Sequence, residues 1–196
     1  MNTRIIALVV LALASCKAPA PDYQAANLAL VQRDSHAVLR MLADDSSPEG
    51  ERLKATASLQ LGDLDTAANH LDRAVTAGGG AAVFADYARL ELIRGRLPAA
   101  AKWQSRAEQA DGGAMMTLLT GGEIAMAQQQ TARALDYFDR AAQRNPDNFA
   151  VLANRAKAIA ALRKWDELAP LLTRLEQQAP GDAELADLRK RLAARN

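Results

Sequence analysis

The chain has 196 residues, with 24 Lys and Arg against 23 Asp and Glu, two His and one Cys. This near-neutral balance lacks the basic excess of a nucleic-acid-binding protein, so binding of nucleic acid is not expected. One cysteine allows no disulfide within the chain, so the fold is not expected to be stabilised by one. The length suits one domain or a short array, and abundant alanine with 4% aromatic residues favours packed helices over sheet.

The first fifteen residues have the layout of a secretory signal. Arg4 is their only charge, Ile5 to Ala14 is an unbroken apolar run, and the small Ser15 follows. A transmembrane helix needs about 20 apolar residues, so this run is too short to span a bilayer. We therefore expect residues 1–15 to be a signal peptide.

The only cysteine ends this segment, in Leu13-Ala14-Ser15-Cys16. The four residues resemble a bacterial lipobox, and the resemblance implies cleavage before Cys16, a diacylglycerol on its sulfur and an acylated amine. An Asp directly after the lipidated cysteine resembles an inner-membrane retention signal. This chain has Lys17 at that position, and the absence of Asp favours the outer membrane. Residues 16–22 then form the lipidated cysteine and a Pro/Ala tether. The alternative is an ordinary secreted protein whose cysteine is incidental.

Residues 23–47 follow as a short helical pair, with a break near Arg33-Asp34-Ser35 and apolar Ala37, Val38 and Leu42 on the second helix. The pair is degenerate, as terminal repeats often are when one face meets water.

From Pro48 onward the sequence repeats with a period of about 34. Small or apolar residues recur at steps of 33, 34 and 34, at Ala67, Ala100, Ala134 and Leu168. The same steps separate Ala74, Ala107, Ala141 and Leu175. This period, with helical patterning, resembles the tetratricopeptide repeat (TPR). The third repeat matches best, with Gly122, Ala134, Phe138, Ala141 and Pro146, whereas the fourth has Leu168 and Leu175 where alanine is usual.

The resemblance implies an all-α solenoid, a right-handed superhelix of helix-turn-helix repeats with about eleven helices. The four repeats span residues 48–80, 81–114, 115–148 and 149–182, and residues 183–196 form an amphipathic capping helix. Pro170 is expected near the first turn of its helix, where a missing N–H costs little.

No constellation of catalytic residues is evident in the sequence. His36 and His70 lack a second ligand-type residue at metal spacing, and the glycines of Ala77 to Ala82 follow no strand and precede no Lys-Ser/Thr. Gly121 is an extra glycine within a predicted helix. We therefore expect no enzyme, no metal and no cofactor.

A TPR partner usually lies along the concave face formed by the first helix of each repeat. On the resemblance, the groove residues that would contact it are Arg89, Leu92, Met116, Leu119, Glu123, Met126 and Lys157. The alternative is that some of the apolar ones fill gaps between helices. A carboxylate clamp is absent, because the places of its Lys, Asn and Arg hold Arg52, Thr56, Asp86, Met116 and Thr120.

These expectations describe a non-enzymatic, membrane-anchored scaffold that holds other envelope proteins. Lipoproteins of this layout resemble pilus and secretin assembly factors, both pilotin-like and TadD-like. Others resemble regulators of peptidoglycan hydrolases or components of outer-membrane protein insertion. The alternative function is a periplasmic carrier whose groove takes a lipid or a small apolar ligand.

Overall fold

The computed structural model describes residues 20–195, and every regular secondary-structure element in this range is a helix. The all-α helical-repeat prediction is confirmed. The predicted signal peptide, Cys16 and the first tether residues lie outside the described range. The helices are α1 (Tyr23–Val31), α2 (Ser35–Met41), α3 (Pro48–Gln60), α4 (Leu64–Thr76), α5 (Ala81–Ile93), α6 (Leu97–Asp111), α7 (Met115–Ala127), α8 (Thr131–Arg144), α9 (Phe149–Ala161), α10 (Trp165–Gln178) and α11 (Ala183–Ala193).

The helices form two layers. Each odd-numbered helix from α3 to α11 packs against the next odd-numbered one, whereas each even-numbered helix from α4 to α10 packs against the two odd-numbered helices beside it in the chain. Within the described residues, the backbones of the even-numbered helices do not pack against one another. Because only one layer is continuous, the stack curves with the odd-numbered helices on its concave side.

The turn inside each helical pair is closed by one residue in the left-handed region. Gly62 and Gly95 fill this place in two pairs, at φ of +79° and +72°. Arg33, Gln129 and Arg163 fill it in the other three, at φ between +57° and +60°. In the third repeat Gln130 N–H donates to the carbonyl of Ala125 at 2.8 Å, which satisfies the end of α7. Three of the five turns thus place a side chain in a conformation that glycine adopts at lower cost.

The even-numbered helices bury the same three positions in every repeat. Small, large and small residues lie at i, i+4 and i+7 on one face, as Ala134, Phe138 and Ala141 do in α8. Leu168, Leu172 and Leu175 of α10 are also fully buried, so the bulkier fourth repeat is accommodated in the core. Gly122 lies directly beneath the Phe138 ring, where a Cβ atom would collide with it.

The position of Pro170 differs from the expectation. It is the sixth residue of α10 rather than part of its first turn. Its missing N–H therefore leaves the carbonyl of Asp166 without its usual helical donor, on an exposed part of the helix.

None of the helices in the described part of the chain is both long enough and apolar enough to cross a membrane.

Candidate functional site

Seven charged residues alternate in sign along the odd-numbered helices. We call this row the charge ladder; it consists of Glu49, Arg52, Asp86, Arg89, Glu123, Lys157 and Glu184. It begins on α3, passes over α5, α7 and α9, and ends on α11. The ladder therefore follows the continuous, concave layer of the stack.

Four of the six successive steps of the charge ladder are ion pairs. Arg52 bridges the first two helices, since its guanidinium donates to Glu49 at 2.7 Å and to Asp86 at 3.1 Å. Arg89 Nε lies 3.6 Å from Glu123 Oε2, and Lys157 Nζ lies 2.7 Å from Glu184 Oε2. Three ion pairs thus join α3 to α5, α5 to α7 and α9 to α11.

Burial raises the pKa values of two carboxyl groups of the ladder. Asp86 is 3% exposed, and its burial raises its pKa although Arg52 and Arg89 oppose the shift. Burial likewise raises the pKa of Glu123, against the attraction of Arg89 and Lys157. Acidification would neutralise these two carboxyls before ordinary ones and leave the concave face more positive.

The predicted apolar groove residues are half-buried rather than fully exposed. Leu92 packs against the small cluster of Ala88, Ala100 and Ile124. Leu119 and Met126 pack against the largest core cluster, and Met116 is half-buried as well. The side chains of Leu92, Leu119 and Met126 therefore each have one part against the core and another part exposed. Whether a partner contacts them stays a prediction.

The charged groove residues are brought together in pairs by the structure. Arg89 meets Glu123, whereas Lys157 meets Glu184, which was not among the predicted residues. The sequence carried a signal for the ladder, because Arg52 and Asp86, Arg89 and Glu123, and Glu123 and Lys157 are each 34 residues apart with opposite signs. One repeat period places such residues at the same register on neighbouring helices.

A second polar cluster lies where the N-terminal pair meets the first repeat. Buried Lys54 donates to Glu51 at 2.8 Å and to the carbonyl of Asp45 at 2.7 Å. His70 Nδ1 lies 2.6 Å from the other oxygen of Glu51, and these partners hold the pKa of Glu51 below its ordinary value despite burial. His70 thus has a carboxylate partner that sequence spacing did not reveal. No group of three or more metal-ligand residues occurs among the described residues.

A cleft separates α6 from α8 on the convex side, with α7 as its floor. Its volume is about 220 Å³, and Gln104, Glu108, Gly121 and Tyr137 are among its lining residues. The Tyr137 hydroxyl donates to Glu108, which links α8 to α6 across the cleft. A Cβ at Gly121 would approach both Gln104 Nε2 and the Tyr137 ring to 2.8 Å, so this otherwise unexplained glycine makes room for that link.

No protein-family model matches the sequence, and no curated protein matches it. Solved structures do resemble it. The thermophilic TPR protein TTC0263 of Thermus thermophilus is 19% identical with a TM-score of 0.68, over 87% of this chain and 94% of that one. A structure from the functional characterisation of Pseudomonas aeruginosa pilF is 17% identical with a TM-score of 0.67, over 87% and 80%.

YrrB, described as a TPR protein with an unusual peptide-binding site, is 14% identical with a TM-score of 0.56, over 84% of this chain and 88% of that chain. At these identities the likeness concerns the fold. The chain has the helical-repeat fold of TPR proteins.

Proposed function

We propose that this protein is a non-enzymatic scaffold, held at the periplasmic side of the bacterial outer membrane by lipids on Cys16, that binds other envelope proteins along its concave face. The observation that carries the proposal is the continuous layer of odd-numbered helices with the charge ladder along it. Proteins of this fold include one described as having a peptide-binding site. The concave surface of a helical repeat array is long and continuous, so an extended polypeptide can bind along it.

The chemistry of this face suits a protein segment better than a lipid. The charges of the ladder largely pair with one another, so a partner need not neutralise them, and they give fixed polar contacts that set its register. Half-buried Met116 and Met126 supply adaptable apolar surface beside these charges. The carrier alternative lacks such support, because an apolar ligand would have to displace water from Arg89, Glu123 and Lys157.

For the machine that the scaffold serves, we propose assembly of a pilus or a secretin. This choice rests on the resemblance of the lipobox-plus-TPR layout to assembly lipoproteins. The fold likeness to pilF of Pseudomonas aeruginosa is compatible with it.

Site-specific photocrosslinking in living cells tests the concave face. A photoreactive residue is placed at Met116 or Met126, and at Ile93 as an exposed apolar control outside the predicted groove. We expect the same envelope protein to be crosslinked from both groove positions and not from position 93. Crosslinks from position 93 alone, or from none of the three in cells that assemble the machine normally, would contradict the proposal.

The anchor is tested separately. Changing Cys16 to Ser should abolish incorporation of labelled palmitate and move the protein from the membrane to the soluble fraction. A serine variant that still takes up palmitate and still sediments with membranes would refute lipidation at Cys16.

A further inference from the structure

The first helix exposes an apolar face that nothing in the described part of the chain covers. Leu28 is 57% exposed and Val31 is 81% exposed. They lie three residues apart and therefore on the same side of α1. The opposite side is buried through Ala26, Ala29 and Leu30, so the orientation of α1 on the array is set by its own core.

The exposed side of α1 is uncharged as well as apolar. Gln24, Asn27, Leu28 and Val31 share this face, and no charged residue occurs between Tyr23 and Val31. Surface helices in water usually carry charges on their outer side. Met41 of α2 adds another large apolar side chain, 54% exposed, to the same N-terminal pair. Three of the five exposed large hydrophobic residues of the described chain thus belong to α1 and α2.

The position of α1 in the chain indicates what covers it. Tyr23 follows Cys16 by seven residues, and an extended segment of that length spans no more than about 25 Å. If Cys16 carries acyl chains, α1 is confined to a shell next to the bilayer. Because α1 is held close to the bilayer, its effective concentration at the membrane surface is high. A weak apolar insertion is then sufficient to keep the helix bound to that surface.

We propose that α1 lies on the outer-membrane surface with Leu28 and Val31 inserted at the boundary between headgroups and acyl chains. This inference rests on the proposed lipidation of Cys16. Charged groups at the ends of α1 and on α2 balance, with Asp22 and Asp34 against Arg33 and Arg40. The contact is therefore driven by apolar burial and is insensitive to the charge of the lipid. It holds the N-terminal end of the array against the membrane and directs the later repeats away from it.

A fluorescent probe on the full-length acylated protein tests this contact. Because Cys16 is the only cysteine and its sulfur would carry lipid, a cysteine introduced elsewhere is the only free thiol. Leu28→Cys and Val31→Cys are labelled with the polarity-sensitive dye NBD, and Ile93→Cys, with a native side chain 53% exposed on α5, is the matched control. Each protein is reconstituted into phosphatidylcholine vesicles, with or without phosphatidylglycerol and with or without lipids that carry a nitroxide near the headgroup.

We expect blue-shifted emission and nitroxide quenching at positions 28 and 31 in both lipid mixtures, and neither effect at position 93. Water-like emission at all three positions would overturn the proposal. Blue-shifted emission at positions 28 and 31 that is not quenched by the nitroxide, but depends on the protein-to-lipid ratio, would show that a second copy covers α1. This outcome would also overturn the proposal. Dependence on phosphatidylglycerol would overturn the apolar basis of the contact.

The intact mass of the purified protein reports acylation independently of these signals. If Cys16 is not acylated in cells, the proposed anchor fails, but the contact can still be measured. The unlabelled chain is then coupled through Cys16 to a maleimide lipid in vesicles. Slower amide hydrogen exchange in residues 23–31 than in solution supports the proposal, and unchanged exchange overturns it.

Discussion

Arg52 on α3 and Asp86 on α5 are one repeat period of 34 residues apart, and their side chains meet at 3.1 Å. Asp86 is almost completely buried, whereas Arg52 also holds Glu49 on its own helix. On the resemblance to TPR proteins, the pair is expected to occupy places where a carboxylate clamp would present groups to a ligand. Here these groups bind each other, which explains in physical terms why capture of a free carboxylate is not expected at this site.

The stability of the protein should depend on pH through Asp86. In the unfolded chain an aspartate ionises near its ordinary pKa of about 4, whereas burial raises the pKa of Asp86 in the fold. At a pH between these two pKa values, the folded state binds more protons than the unfolded state. The contribution of Asp86 to stability is therefore present at low pH and is lost as the pH rises. Replacing Asp86 with Asn removes this dependence.

Urea unfolding of the wild type and of Asp86→Asn, from pH 4 to pH 7, checks the sign. We expect the wild-type free energy of unfolding, minus that of the variant, to fall as pH rises and then to level off. Carboxyls far from Asp86 titrate in both proteins and cancel in this difference, whereas Glu123, whose pKa Asp86 helps to raise, contributes with the same sign. A difference that increases with pH would show that the attraction of Arg52 outweighs burial.

Gln104 is a polar residue at a position that is apolar in three other repeats. It lies at the centre of Ala100, Gln104 and Ala107, where α4, α8 and α10 have Leu71, Phe138 and Leu172. It is 6% exposed, and its Nε2 donates to the carbonyl of Thr117 and to Glu108, whereas its Oε1 has no partner among the described residues. Leucine would remove an unsatisfied buried acceptor at similar volume.

We therefore expect Gln104→Leu to raise the free energy of unfolding by about 1 kcal/mol. Chemical denaturation gives the measurement. Thr56→Val is a useful comparison, since the Thr56 hydroxyl donates to the carbonyl of Arg52 at 3.1 Å and its loss should not stabilise. A destabilised Gln104→Leu variant would mean that Oε1 is satisfied in solution, for example by water in the cleft between α6 and α8.

The repeat period allowed the helical-repeat fold to be predicted from sequence because each repeat reuses the same small and large positions. The predicted charged groove residues Arg89, Glu123 and Lys157 lie on the concave face for the same reason. The degree of burial of individual polar residues could not be predicted from the sequence. Asp86 and Gln104 are polar residues in buried positions, and sequence patterning assigns polar residues to the surface. The partners of His70 and Glu184 depend on side chains that approach from other helices, at spacings that no single repeat reveals.

The turn residues provide a third prediction. Gln129 adopts φ of +60°, at the place where the preceding repeat has Gly95 at +72°. A left-handed side-chain residue costs about 1–2 kcal/mol, and glycine loses about 0.5–1 kcal/mol more backbone entropy on folding. Gln129→Gly should therefore stabilise by about 0.5–1 kcal/mol, and Gly95→Gln should destabilise by a similar amount. Thermal and urea unfolding of the two variants give opposite shifts if this account is correct; shifts of the same sign would reject it.

The last prediction concerns the contact between Gly122 and Phe138. Phe138 is almost completely buried, and its ring lies against the backbone of α7 at Gly122, where any Cβ would overlap it. Although alanine favours helix by about 1 kcal/mol over glycine, overpacking of a filled core costs typically 1–3 kcal/mol. We expect Gly122→Ala to lower the free energy of unfolding overall. In the double variant with Phe138→Leu, the smaller side chain makes room for the new methyl group, so the loss should be less than the sum of the two single losses. Strict additivity in urea unfolding would show that the two residues do not contact each other, and would contradict the close approach of α7 and α8.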